Sequence, residues 1–432
     1  MMHQLVYKVG EYYRNSKIQK HFSSLKKTDT LSIDHLQELQ IVQLRKLLHH
    51  AQANSPFYKK SLEGIDINNF TLAMLPSLPQ LSKADLRNNL KNIQNRCNGK
   101  MFLSSTSGST GNALIFERNE DWDASHRAAQ LRGYSWYGIN PWAKNLYFWG
   151  FNPSFMKKMK IRLMDTLVNR YRIFNYDDES IKKAEQIIKQ SEYIEGYSSS
   201  IFTLAQHLKS KNISFDNIKL VKGTSEKIFD YYHKTVKAVF GKKMVSEYGA
   251  AETGIIAFEC PEGNMHITME NVIVEEVDNK ILLTNLFSYS LPIIRYELGD
   301  YISLNTSKKC SCGRAHHIID EITGRIGENI QGYKKTYLSL TLYYVFKNIS
   351  LEKKLELAYF ACQQEKGKIL IKILADSMDN VNVENYVNIE LKKYFENDLD
   401  VEIIFVEKLE MLGKKSQSFI SYIDAQDKKQ CS

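Results

Sequence analysis

The sequence predicts a layered α/β protein, with a large N-terminal domain and a small α+β domain at its C-terminal end. Three observations predict it. From residue 86 to 255, helical stretches such as 181–190 alternate with short apolar runs such as 145–150, the rhythm of helices laid on a sheet. From 258 to 304 the chain turns β-rich. Beyond 324–327 it resumes as a helix near 338–349, a strand near 368–374, a helix near 381–395 and a strand near 401–406.

The elements follow in order. Leu44, Leu47, Leu48 and Ala51 have the i, i+3, i+4, i+7 spacing of an amphipathic helix, which Asn54, Ser55 and Pro56 stop. Pro76 and Pro79 punctuate a connection, and Ser82 with Asp85 starts a helix before Leu86. The runs 272–277 and 281–286, split by Asp278, Asn279 and Lys280, read as a hairpin. Domain boundaries are expected at 1–325, including the β-rich segment, and 326–432.

Composition narrows the class. The 432 residues are 43% hydrophobic and 25% charged, with only 7 prolines, so order is expected nearly throughout. A net charge of +9 comes from scattered lysines without a nucleic-acid-binding signature, so no nucleic-acid partner is expected. No apolar run reaches membrane-spanning length and the basic N-terminal stretch lacks a signal-peptide core, so the expectation is a cytoplasmic protein with no membrane span. The six cysteines, Cys97, Cys260, Cys310, Cys312, Cys362 and Cys431, are too few for a disulfide framework, and reduced thiols or a metal site are expected instead.

From Ser104 to Asn112 every residue is small, hydroxylated or amide-bearing. Glycine lets successive N–H groups turn inward as an anion nest, and hydroxyls add donors, so the loop suits the pyrophosphate end of a nucleotide. An ordinary Ser/Gly turn is the plainer reading of this loop taken alone. It is not a Walker A loop, since no Gly-Lys-Ser/Thr follows.

Thr106-Ser107-Gly108-Ser109-Thr110-Gly111 resembles the phosphate-binding signature of the adenylate-forming superfamily, with Asn112-Ala113 where Lys-Pro is usual. Further matches follow in order: Tyr248-Gly249-Ala250-Ala251-Glu252, Gly299-Asp300 and Gly324-Arg325. The stretch 78–87, the run 291–296 and Cys310-Ser311-Cys312-Gly313-Arg314 are similar to the phenylacetate–CoA ligase and CapK-like branch. The resemblance spans residues 36 to 420. It implies an AMP-binding N-terminal domain with a mobile C-terminal lid, and an acid–thiol ligase that uses ATP and Mg²⁺ to make an acyl-adenylate, then passes the acyl group to CoA.

It also implies roles. Asp300 would accept from the ribose hydroxyls, Glu252 would suit Mg²⁺, and Tyr248 with Gly249 would meet adenine and the acid. Gly223 and Glu226 belong to an adenine-side loop, Arg325 marks the hinge, and Lys414 supplies a mobile positive charge during adenylation. Because Ser416-Gln417 depart from the pattern, Lys415 rivals Lys414. Partners are then a small carboxylic acid, ATP, and CoA or another acyl acceptor; a homodimer is left open. An amine or sugar acceptor, and a non-catalytic nucleotide-binding homologue, are the other readings.

Cys260, His266, Cys310 and Cys312 could supply a tetrahedral Cys₃His set for structural zinc, with His316 and His317 as rival ligands. Buried free thiols are the plainer alternative. The aromatic run Trp136, Tyr137, Trp142, Tyr147, Phe148, Trp149 and Phe151, or Gly196-Tyr197-Ser198-Ser199, could wall an acyl pocket, though core packing explains such density equally well.

Overall fold

Ser55 ends one helix and begins the next. Its N–H donates to Ala51 O at 2.9 Å, closing the helix Ile33–Asn54, and its Oγ accepts from Tyr58 N at the start of Pro56–Ser61. Proline at the first helical position lacks only an N–H that would have no partner there, so the break costs little. Leu44, Leu47, Leu48 and Ala51 are fully buried along one face, as their spacing predicts. Ser82 and Asp85 form a reciprocal capping box on the helix Lys83–Asn88.

The protein is described by a computed structural model over residues 2–106, 114–148, 155–174, 178–325, 329–337, 339–355, 357–374, 380–407, 409 and 419–423. It forms two compact units, Met1–Ser225 with Val236–Ile322, and Glu226–Thr235 with Thr323–Ser432.

In the first unit a small hairpin, β1 (Met101–Ser105) and β2 (Ile115–Asn119), precedes a large sheet. The sheet's strands are β3 (Asn145–Phe148), β4 (Arg170–Ile173), β5 (Tyr193–Tyr197), β6 (Leu220–Thr224), β7 (Met244–Ala250), β8 (Gly254–Glu259), β9 (Met265–Ile267), β10 (Val272–Val277), β11 (Lys280–Asn285), β12 (Tyr296–Asn305) and β13 (Ile318–Arg325). Their spatial order is β10-β11-β12-β13-β9-β8-β7-β6-β5-β3-β4. Strands β3 to β7 pair in parallel. The pairs β7–β8, β8–β9, β9–β13, β11–β12 and β10–β11 run antiparallel.

The hairpin β10–β11 is tighter than expected. Lys280 belongs to β11, opposite Val277, and the turn is Asp278-Asn279 alone, at φ of 52° and 62°. Two successive left-handed residues match the strand twist, which Asp and Asn tolerate better than other side chains.

The second unit carries a sheet of order β18-β17-β16-β19, formed by β16 (Tyr359–Glu365), β17 (Lys368–Leu374), β18 (Asp400–Val406) and β19 (Phe419–Ser421); two short strands, β14 (Ile330–Gln331) and β15 (Thr336–Tyr337), pair beside it in sequence. Ile369, Ile371 and Ile373 alternate into a core shared with Val345 and Phe346 of the helix Leu340–Lys353 and Val387 and Leu391 of Asn380–Phe395. One cysteine departs from the expectation of thiols: Cys362, buried in β16, is disulfide-bonded.

Candidate active site and thiol cluster

The predicted phosphate loop begins where β1 ends. Thr106 N donates to Leu114 O at 3.0 Å, and Leu114 N returns a bond to Thr106 Oγ1 at 2.9 Å. The two bonds clamp the base of the loop. Ser107, Gly108, Ser109, Thr110 and Gly111 lie outside the described residues.

Parallel strands place their carboxyl ends on one edge, where ligands bind in open α/β sheets. The registers align Gly196 of β5 with Gly223 of β6, and Gly223 with Ser246 of β7. A Cβ on Gly196 would fall 2.2 Å from Phe148 O, and its φ is +145°, so only glycine allows β5 to approach β3 this closely. Gly249 is similarly confined: a Cβ there would meet Gly254 O at 2.6 Å.

Tyr248 OH donates to Asp300 Oδ2 at 2.7 Å, and Tyr296 OH donates to Glu252 Oε1 at 3.2 Å. The structure thus brings Tyr248, Gly249, Glu252 and Asp300 into one neighbourhood at the end of β7. Asp300 and Glu252 are buried, each with a phenol as partner. Glu226 belongs to the second unit, the side chain of Arg325 at the end of β13 is not described, and Lys414 and Lys415 fall outside the described residues.

Two residues not singled out from the sequence join this neighbourhood. Arg118, on β2, donates to Ala251 O at 2.7 Å, and its Nε has no hydrogen-bond partner among the described residues. Burial lowers its pKa to about 10, although Asp123 and Glu252 pull the other way. His126, on the helix Glu120–Trp136, stands 3.0 Å from where a Cβ on Gly254 would be. Burial, aided by Arg118 and Arg127, lowers its pKa to about 3, so the ring is neutral. The available signal was nearness along the chain: both lie within about fifteen residues of the predicted phosphate loop.

Beneath the strand ends lies a buried ionic network. Lys222 Nζ sits 2.9 Å from Glu247 Oε2 and 3.2 Å from Glu195 Oε2, while Arg170 Nη2 meets Glu195 Oε1 at 3.2 Å. Burial opposes the charge on Glu195, yet Lys222 and Arg170 hold its pKa below the usual carboxylate value.

Among the described residues, Tyr147 and Trp136 of the aromatic run sit in separate settings. Tyr147 lies between the guanidinium groups of Arg170 and Arg172, at 4.4 and 4.7 Å, whereas Trp136 packs under Arg314 and edge-on to Phe258 and His266. Trp149 and Phe151 lie outside the described residues.

Cys260, His266, Cys310 and Cys312 gather so that their ligand atoms all lie within 4.8 Å of one another. Cys260 Sγ is 3.7 Å from Cys310 Sγ, and Cys312 Sγ is 3.3 Å from His266 Nε2. Tetrahedral zinc at its usual bond lengths sets sulfurs about 3.8 Å apart and sulfur from nitrogen about 3.5 Å. The donor set therefore fits zinc. His266 Nδ1 lies 3.3 Å from His316 O, which directs Nε2 toward the sulfurs. His316 turns instead to Glu270 Oε1 at 2.9 Å, and neither it nor His317 joins the cluster.

No family profile matches the chain. Over 422 residues, 93% of this chain and 92% of the relative, it is 23% identical to Protein CapK of Staphylococcus aureus. Among solved structures it is similar to 2-hydroxyisobutyryl-CoA ligase in the postadenylation state in complex with R3-HIB-AMP, at TM-score 0.70 and 15% identity, covering 92% of this chain and 91% of that one. The same ligase in its thioesterification state, in complex with 2-HIB-AMP and CoA, gives TM-score 0.59 at 16% identity, with 92% and 91% covered. The chain is thus similar over nearly its whole length to Protein CapK in sequence and to 2-hydroxyisobutyryl-CoA ligase in fold.

Proposed function

We propose that the protein activates a carboxylic acid with ATP. A carboxylate oxygen attacks the α-phosphorus, the bond to the β-phosphate oxygen breaks, and pyrophosphate leaves an acyl-adenylate. An acceptor nucleophile then attacks the acyl carbon, and AMP departs. The observation that carries this reading is the Tyr248–Asp300 hydrogen bond of 2.7 Å at the carboxyl end of β7, which holds an acceptor-only carboxylate where a ribose could meet it.

The remaining roles are proposals on the same footing. Thr106, Ser107, Gly108, Ser109, Thr110 and Gly111 would hold phosphates, with Gly223, Glu226, Tyr248 and Gly249 on the adenine side. Glu252 would bind Mg²⁺, whose positive charge would offset that of the phosphate oxygens. Arg325 would act at the hinge and Lys414 at the α-phosphate, with 1–325 as the nucleotide-binding domain and 326–432 as the lid. Cys260, His266, Cys310 and Cys312 would hold a structural zinc, since all four positions are filled by protein.

The CoA thiol is the proposed acceptor, supported by the CoA named with the structurally similar ligase. An amine or sugar acceptor is distinguished by supplying each nucleophile to preformed acyl-adenylate and measuring AMP release. Adenylation itself is tested by acid-dependent exchange of pyrophosphate into ATP. Lys414→Ala should abolish most exchange while sparing ATP binding; undiminished exchange in that variant rejects its role, and absence of exchange with every acid tried rejects the activity.

A further inference from the structure

Two helices of the first unit carry their apolar stripes on the solvent side. On Phe155–Leu167, Met156 is 80% exposed, Met159 58% and Leu163 60%, and with Leu167 they fall at helical spacing on one face. The buried side of that helix holds Asp165, gripped by Arg172 through two bonds of 2.9 and 3.0 Å. This inverts the usual arrangement, in which the polar face meets water. On Met2–Arg14, Met2 at 68% and Leu5 at 64% begin a similar stripe that continues through Val9 to Tyr12 and Tyr13. The stripes are continuous: Leu5, Val9, Met164 and Leu167 line one groove of about 790 Å³. Exposed apolar surface this extensive marks an interaction site.

Charge selects the occupant. Lys8, Lys160 and Arg162 are exposed beside the stripes, whereas the acidic groups of the two helices are withdrawn, Asp165 to Arg172 and half-buried Glu11 to Gln19. An apolar plane rimmed by cations complements an anionic lipid surface, where methionine and leucine enter the acyl boundary and lysine and arginine meet headgroup phosphates. A second copy of the chain would set cationic rim against cationic rim, within a molecule of net charge +9. Among the described residues no helix is long and apolar enough to cross a membrane, so these helices would lie in the interface.

We propose that the helices Met2–Arg14 and Phe155–Leu167 together form a docking surface for an anionic membrane. The test is sedimentation of the full chain with phosphatidylcholine vesicles, with and without phosphatidylglycerol. Binding should appear with phosphatidylglycerol, weaken as salt is raised, and fall about tenfold or more in Leu163→Glu. Lys160→Glu together with Arg162→Glu should weaken it comparably without touching the apolar stripe. Thermal unfolding of each variant checks that the fold survives, and if Leu163→Glu does not fold, the charge variant and the salt series decide. Three outcomes overturn the proposal: no binding to phosphatidylglycerol vesicles, binding indifferent to both sets of substitutions, or a self-associated state in solution that Leu163→Glu dissociates, which would assign the face to a second copy.

Discussion

Tyr248 and Asp300 share a hydrogen bond of 2.7 Å although their strands, β7 and β12, stand four steps apart in the sheet. On a flat sheet four steps would separate them by roughly 19 Å. The antiparallel half must therefore roll back over the end of the parallel half, and the bond marks where the roll closes. Tyr296, also on β12, reaches Glu252 the same way.

Asp300→Ala should reduce acid-dependent pyrophosphate exchange by about two orders of magnitude, chiefly by raising the KM for ATP, because a buried charged acceptor is lost. Tyr248→Phe removes a single neutral donor and should cost only about 1 kcal/mol, roughly fivefold. Equal effects from the two would show that the carboxylate matters only through the phenol.

Lys222→Met should leave Glu195 and Glu247 short of a counter-charge and destabilise the first unit by about 3–5 kcal/mol in denaturant unfolding. Adding Glu247→Gln should recover part of that loss. No recovery would mean that lysine's packing, rather than its charge, supports the strand ends.

His126 makes stability depend on pH in a defined window. Its pKa is about 3 when folded and 6.5 for the unperturbed side chain, so between these values the unfolded chain binds the extra proton. Its contribution is full above 6.5 and is lost as pH falls toward 3, with a slope of up to about 1.4 kcal/mol per pH unit. His126→Gln should flatten that slope in urea melts at pH 5 to 7, and an unchanged slope assigns the dependence to other groups.

Cys310→Ser should lower bound zinc well below one equivalent per chain and reduce the thermal midpoint by several degrees, since a closed structural site contributes folding energy directly. Elemental analysis and calorimetry of the same preparations check both. Full zinc content in the variant would reassign the ligand set.

Local elements were legible because their signals are local. The helix stop at Ser55, the capping box at Ser82 and the strand Lys368–Leu374 each announce themselves within a few residues. Strand β16 did not. Gln363 is fully buried there because its side-chain amide accepts from Gln331 N and donates to Gln331 O, each at 2.8 Å, a pairing that apolar periodicity cannot register. The motif residues could be named in order, but the sequence holds no trace of the rolled sheet that sets Tyr248 against Asp300. For the same reason Arg118 went unnoticed: its link to Ala251 spans 133 positions.

The paired bonds between Thr106 and Leu114 fix both feet of the proposed phosphate loop to a hairpin that forms when the chain folds. The entropy of bringing those feet together is thus settled during folding, and a nucleotide bound there as proposed would be spared it. Thr106→Val would move that cost onto the ligand, so weaker nucleotide affinity with little change in melting temperature would be its thermodynamic signature.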